Sequence, residues 1–74
     1  MKKRDFISVT IYAVDSNEDF HSCTFTEYIT TQEAHNKHIE ASIAYVASVK
    51  KYRIIQIEIE EATDEEILEY LTEE

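Results

Sequence analysis

The chain has 74 residues, no Gly, no Pro, one Cys and a formal net charge of −9 at pH 7, a length that gives room for one domain, 1–74, with one modest core. A lone cysteine excludes a disulfide within the chain, and the lack of Gly excludes a phosphate-cradling loop, a nucleophile elbow or a glycine-built oxyanion turn. Residues 1–57 balance seven Lys and Arg against seven acids, so the whole net charge resides in Glu58, Glu60, Glu61, Asp64, Glu65, Glu66, Glu69, Glu73 and Glu74, which argues against direct binding to nucleic acid or an anionic membrane.

The basic start, Met1 to Arg4, is followed by DFISVTIYAV, which alternates polar with apolar and lacks the continuous apolar block and cleavage site of a secretory signal. From Arg4 to Val14 the alternation predicts a strand, with Ile7, Val9, Ile11 and Ala13 on one face and Phe6, Ser8, Thr10 and Tyr12 on the other. Asp15-Ser16-Asn17-Glu18 is a polar turn in which Asn17 is expected to take the left-handed conformation. A second strand is expected over Asp19 to Ile29, with Cys23, Phe25 and Ile29 sharing a face, and the short connection makes the pair an antiparallel hairpin.

Thr30 and Glu33 have the spacing of a capping box, predicting a helix to about Lys50 with Ile39, Ile43, Val46 and Val49 on its apolar stripe. Alternation returns from Tyr52 to Glu60, placing Ile55, Ile57 and Ile59 inward and Tyr52, Ile54, Gln56, Glu58 and Glu60 outward. Thr63 and Glu66 form a second capping box ahead of a short helix carrying Ile67, Leu68 and Leu71. A helix of about 20 residues spans roughly 30 Å, the length of a nine-residue strand at about 3.3 Å per residue. It can therefore return the chain across one sheet face. The expected fold is a two-layer α+β domain, ββαβα, with a three-stranded antiparallel sheet in the order 2-1-3. One sheet face would stay uncovered, bearing Phe6, Tyr12, Tyr28, Tyr52 and Ile54, and is expected to be a homodimer interface that adds the burial so short a chain lacks.

His35 and His38 lie at helical i, i+3 spacing, and His21 and Cys23 share a strand face. Neither arrangement has the ligand spacing of a zinc site, and the expectation is no metal and no cofactor, with His35 a partly buried edge residue and His38 a surface one. Cys23 has no visible base or flanking cation and is expected to be a small buried hydrophobe. With no catalytic signature, the chain reads as non-enzymatic. The lone thiol fits a reducing compartment, the cytoplasm, and no stretch is long enough to span a membrane.

The acids at a helix N-terminus near Asp64 to Glu66 are favoured by the helix dipole. The others are not: Glu65, Glu69 and Glu73 make an i, i+4 ladder of like charge costing about 0.2–0.5 kcal/mol per pair, and Glu73 and Glu74 sit where the dipole prefers cations. Regularly spaced carboxylates on a strand and a helix suit a basic partner surface, with Leu68, Tyr70 and Tyr52 as apolar anchors. On this array, Glu58, Glu60, Glu61, Asp64, Glu65, Glu66, Glu69, Glu73 and Glu74, the chain resembles the small acidic proteins, many of them phage-encoded, that imitate DNA and occupy the nucleic-acid site of a host protein. The resemblance implies an inhibitor acting in the host cytoplasm on a basic nucleic-acid-binding protein, a histone-like nucleoid protein such as HU being the natural partner. It transfers no fold, and the Lys2-Lys3-Arg4 start departs from a uniformly acidic mimic. The alternative is a protein-interaction module that regulates a host enzyme through the aromatic sheet face.

Overall fold

The computed structural model describes residues 2–72, Lys3 by its backbone alone; Glu73 and Glu74 of the expected array lie outside the described residues. A 3₁₀ turn at Lys3–Asp5 leads into β1 (Phe6–Val14), followed by β2 (Phe20–Tyr28), α1 (Gln32–Ala44), β3 (Arg53–Glu61) and α2 (Asp64–Thr72). The sheet is antiparallel in the order β2-β1-β3, as the alternation and the helix length require. No helix among the described residues is long and apolar enough to cross a membrane.

β1 is central because it is the most apolar strand and the only one whose alternate side chains find cover on both faces. Val9, Ile11 and Ala13 are fully buried on the α1 side with Val46, and Cys23, Phe25, Ile39, Ile43, Tyr52 and Ile54 pack around them. Each buried Val or Ile contributes about 1.5–3 kcal/mol, so this small cluster supplies much of the driving force. On the opposite face, paired hydroxyls fix the hairpin register: Ser8 Oγ lies 2.8 Å from Thr26 Oγ1 and Thr10 Oγ1 3.0 Å from Thr24 Oγ1, each directly across the strands.

The turn between β1 and β2 is organised by Asp15. Its Oδ1 accepts from the backbone N–H groups of Asn17 at 2.8 Å and Asp19 at 3.1 Å, and Oδ2 lies 2.7 Å from His21 Nε2. The left-handed residue is Glu18, φ 66°, rather than Asn17. Asp15 draws the chain back on itself early and leaves the reversal to the fourth turn residue. The His21 ring stacks on Tyr52 at 4.3 Å and 18°, so the hairpin tip is clamped to the chain entering β3.

α1 begins one residue later than the Thr30 box predicts. Thr31 is the cap, its Oγ1 accepting from the Ala34 N–H at 3.1 Å. The buried line runs His38, Ser42, Val46, with Ile39 and Ile43 flanking it. His38 is therefore not a surface residue: it is 8% exposed, and its Nε2 lies 3.2 Å from the Ile7 carbonyl and 3.1 Å from the Phe25 carbonyl. Only an N–H can satisfy two carbonyls, so Nε2 carries the proton and donates to both. Ser42 beside it is small enough to let the helix approach the sheet, and its hydroxyl donates to the His38 carbonyl at 2.8 Å.

The helix widens at its end. Tyr45–Val49 is a π turn in which the Lys50 N–H donates to the Tyr45 carbonyl at 3.0 Å. The extra residue in the turn rotates Val49 off the stripe, where the sequence placed it, and leaves it exposed. Lys51, φ 61°, closes the helix, and the Tyr52 N–H returns to the Val46 carbonyl at 3.1 Å.

β3 contains the largest departure from simple alternation. Tyr12 pairs with Gln56 but Ala13 pairs with Ile54, so two residues of β3 advance against one of β1 and Ile55 is the extra residue of a bulge. Below the bulge every side chain changes face. Ile54 packs into the α1-side core and Tyr52 stacks on His21, so neither lies on the outward face where uninterrupted alternation placed them. Ile55, expected inward, is exposed.

That outward face is also not left open. The Ala62 N–H donates to the Phe6 carbonyl at 2.9 Å, extending the β1–β3 ladder by one pair, and α2 then folds over the end of the sheet. Phe6 is 3% exposed, its ring 5.1 Å from Tyr28 and 5.7 Å from Tyr70 of α2. Of the five residues expected to form an exposed aromatic face, only Tyr12 and Tyr28 lie on it partly accessible.

Two expectations follow. Replacing His38 with Ala should lower stability by about 2–3 kcal/mol, from the lost bonds to two strand carbonyls and the cavity left behind; the urea midpoint should fall with little change in m-value. The Asp15 carboxyl is held below its ordinary value of 3.8, first by hydrogen bonding to His21 and then by the Asp19 N–H. A carboxyl lowered in the folded state adds stability above its unfolded pKa and loses it as pH falls through the folded one. The gap in urea midpoint between wild type and Asp15→Asn should thus be widest near neutral pH and close in acid below about pH 4.

Candidate functional site

The acidic residues are positioned by two different rules. On β3 the rule is alternation: Glu58 stands opposite Thr10 and Glu60 opposite Ser8, so both point to the face away from α1. Two residues along a strand separate them by about 6.6 Å. Glu61 is opposite Ile7 and turns toward the α1 side, leaving the row formed by its neighbours. The seven described acids are therefore not one continuous array.

On α2 the rule is the helix cap. The Thr63 N–H donates to Glu66 Oε1 at 2.8 Å and the Glu66 N–H to Thr63 Oγ1 at 3.2 Å, the reciprocal box that the sequence spacing predicts. Asp64, Glu65 and Glu66 occupy the first turn, where the dipole favours them. Glu66 is committed to the cap. Ile67 and Tyr70 turn toward the sheet, and the Tyr70 ring meets Phe6 edge-on, which makes Tyr70 a packing residue of the fold. The opposite side of the helix carries Glu65, Leu68 and Glu69, with Leu68 63% exposed between the two carboxylates.

Because α2 lies on the face bearing Phe6 and Tyr28, it shares that face with Glu58 and Glu60. The site is thus Glu58 and Glu60 on the strand and Glu65 and Glu69 on the helix, one apolar side chain among them. Glu58 is half-buried against its neighbours. Gln56 Nε2 donates to Glu58 Oε1 at 3.3 Å, and the Tyr12 hydroxyl is held above its ordinary pKa of 10.0, first by the charge of Glu58, then by its hydrogen bond, with burial and Glu60 adding to it. The neighbouring negative charge disfavours the phenolate, so Tyr12 stays a neutral phenol beside Glu58.

Elsewhere the chemistry is structural. An open hollow of about 280 Å³ between α1 and the end of β2 is lined by Glu27, Tyr28, Lys37 and His38, but His38 Nε2 is taken by strand carbonyls. The Asp15–His21 pair escaped the sequence reading, although an Asp opening a polar turn six residues before a His was the available signal. Among the described residues no hydroxyl or thiol hydrogen-bonds His21, and no group of three or more His, Cys, Asp or Glu could hold a metal ion. Cys23 is half-buried beside the core. Of the cations, Lys37 pairs with Glu33 at 3.3 Å, Lys50 stands 5.9 Å over the Tyr45 ring, and Arg53, opposite Val14 on the face of Glu58 and Glu60, is 3.8 Å from Glu18.

Comparison with protein-family models, curated proteins and solved structures found no match.

The coupling between Tyr12 and Glu58 gives a direct check on this geometry. Glu58→Gln should bring the Tyr12 titration midpoint down toward 10.0, followed by NMR of its ring carbons so that the other tyrosines serve as internal references. An unmoved midpoint would mean that Glu58 does not face Tyr12.

Proposed function

We propose that the protein is a non-enzymatic acidic decoy, which occupies the nucleic-acid-binding surface of a basic protein by presenting carboxylates where that surface expects phosphates. The observation that carries this reading is the placement of Glu58 and Glu60 on the same side of the sheet as α2, whose outer surface bears Glu65 and Glu69. These groups come from two elements and are held by independent means, a strand register and a capped helix. Rigid placement lowers the ordering cost of binding, which a flexible acidic tail would incur in full. Leu68 supplies an exposed apolar contact among the charges.

The partner chemistry is a wide cationic surface, such as that of a histone-like nucleoid protein like HU. Association would be steered by charge and would weaken with salt. The competing reading, a regulator docking through an aromatic sheet face, has less to stand on, since Phe6 is buried by α2 and Tyr52 and Ile54 turn to the other side.

The test is charge reversal. Glu65→Lys and Glu69→Lys together should leave the far-UV circular dichroism and thermal midpoint nearly unchanged, and Glu58→Lys with Glu60→Lys should keep the far-UV circular dichroism while lowering the midpoint through the lost contacts of Glu58 with Tyr12 and Gln56. Each pair should weaken binding to a purified histone-like nucleoid protein by about tenfold or more at low salt, about 1.4 kcal/mol, and the deficit should shrink as salt rises. Wild type should displace duplex DNA from that protein and bind no DNA itself. Equal binding by wild type and both variants at low salt would reduce the acidic face to a solubility device.

A further inference from the structure

β3 is an edge strand of nine residues without Pro or Lys, and of the devices that ordinarily protect an edge it carries a bulge at Ile55 and the charges of Arg53, Glu58, Glu60 and Glu61. Its open side can be assigned. The Ala62 N–H donates to the Phe6 carbonyl directly across the ladder, so the even-numbered residues Gln56, Glu58 and Glu60 turn their backbone groups to β1. Ile57, Ile59 and Glu61 then point theirs outward, unpaired within the sheet. The side chains of the same edge are apolar: Ile55, Ile57 and Ile59 are 51%, 38% and 44% exposed, although Ile57 and Ile59 lie on the α1 face. α1 covers β1 and β2 and leaves this rim bare.

We propose that β3 pairs antiparallel with β3 of a second copy about a two-fold axis at Ile57, joining two three-stranded sheets into one of six strands. The register follows from the side chains. With the axis at Ile57, Ile57 meets its own copy and Gln56 stands opposite Glu58 of the second copy. The bulge at Ile55 then brings Ile54 opposite Ile59 on the α1 face and Arg53 opposite Glu60 on the other, each pair occurring twice. Apolar meets apolar, a guanidinium meets a carboxylate, and no two carboxylates face each other.

Neighbouring registers fail this criterion. An axis at Glu58 sets Glu58 against itself, and one at Ile59 sets Glu58 against Glu60 twice. An axis at Gln56 pairs fewer residues and leaves Ile59 outside. Without the bulge Ile54 would stand opposite Glu60; the irregularity that turns Ile54 inward sets it against Ile59 instead and leaves Glu60 to Arg53. Arg53 is available for the exchange, since its 3.8 Å contact to Glu18 joins two largely exposed side chains.

The pairing stands on the strand geometry alone. Its consequence for binding rests on the decoy reading: an axis perpendicular to the sheet puts both α2 helices, with their Glu65 and Glu69, on one side and both α1 helices on the other. The α2 carboxylates are thereby doubled on one side, while each Glu60 is taken up by Arg53 of the other copy.

Sedimentation of the full chain, without any partner, tests the pairing separately from the decoy reading. Wild type should sediment at twice its 8.7 kDa, and Ile57→Lys as a monomer whose amide NMR spectrum remains that of a folded chain. Arg53→Glu should raise the dimer dissociation constant about tenfold by placing carboxylates opposite one another, and adding Glu60→Arg should restore it. A monomeric wild type at high concentration overturns the proposal. So does a dimer indifferent to Ile57→Lys, or a double exchange that fails to restore pairing.

Discussion

β1 is hydrogen-bonded along both edges and covered on both faces, and every other element takes its position from that strand. Its odd-numbered residues draw α1 onto one side; Phe6, at its start, draws α2 onto the other. A chain this short cannot close a second core. It spends its apolar residues on a single strand and leaves its borders thin, which is why Ile55, Ile57, Ile59, Leu68 and Leu71 stay exposed in so small a protein.

What is local in the fold is legible in the sequence. The strand alternation, the helix between the second and third strands and the Thr63–Glu66 box each depend on residues a few positions apart, and together they yield the order β2-β1-β3. What depends on a distant partner is not. His38 looks like a surface residue until the sheet presents two carbonyls to it, and Val49 stays on the stripe only while the helix keeps its pitch. The bulge at Ile55 is invisible in a run of isoleucines, because RIIQIEIEE supports either phase of the alternation.

The same distinction divides the candidate site. Glu58 and Glu60 are placed by the regular part of β3 and point as alternation requires, whereas Glu61 departs to the other face and Glu66 closes the cap. That α2 would bring Glu65 and Glu69 to the side of Glu58 and Glu60 depends on Phe6 and Tyr70 meeting, an aromatic contact between residues 64 positions apart. The acidic composition and the Glu66 cap are therefore read from the sequence, and the placement of Glu65 and Glu69 on the side of Glu58 and Glu60 only from the fold. The charge of Glu58 acts first of all on the Tyr12 hydroxyl, which couples the acidic row to the central strand.

The most direct measurement of the account is a residue-resolved map of contact. Amide chemical shifts of the isotope-labelled protein, recorded during titration with an unlabelled histone-like nucleoid protein at low salt, would report where that partner lands. Perturbations are expected over Gln56–Glu60 and the outer side of α2 at Glu65, Leu68 and Glu69, with the α1 hollow around Lys37 and Ala41 unmoved. Perturbations confined to α1, or an absence of saturable shifts while the protein stays folded, would contradict the account.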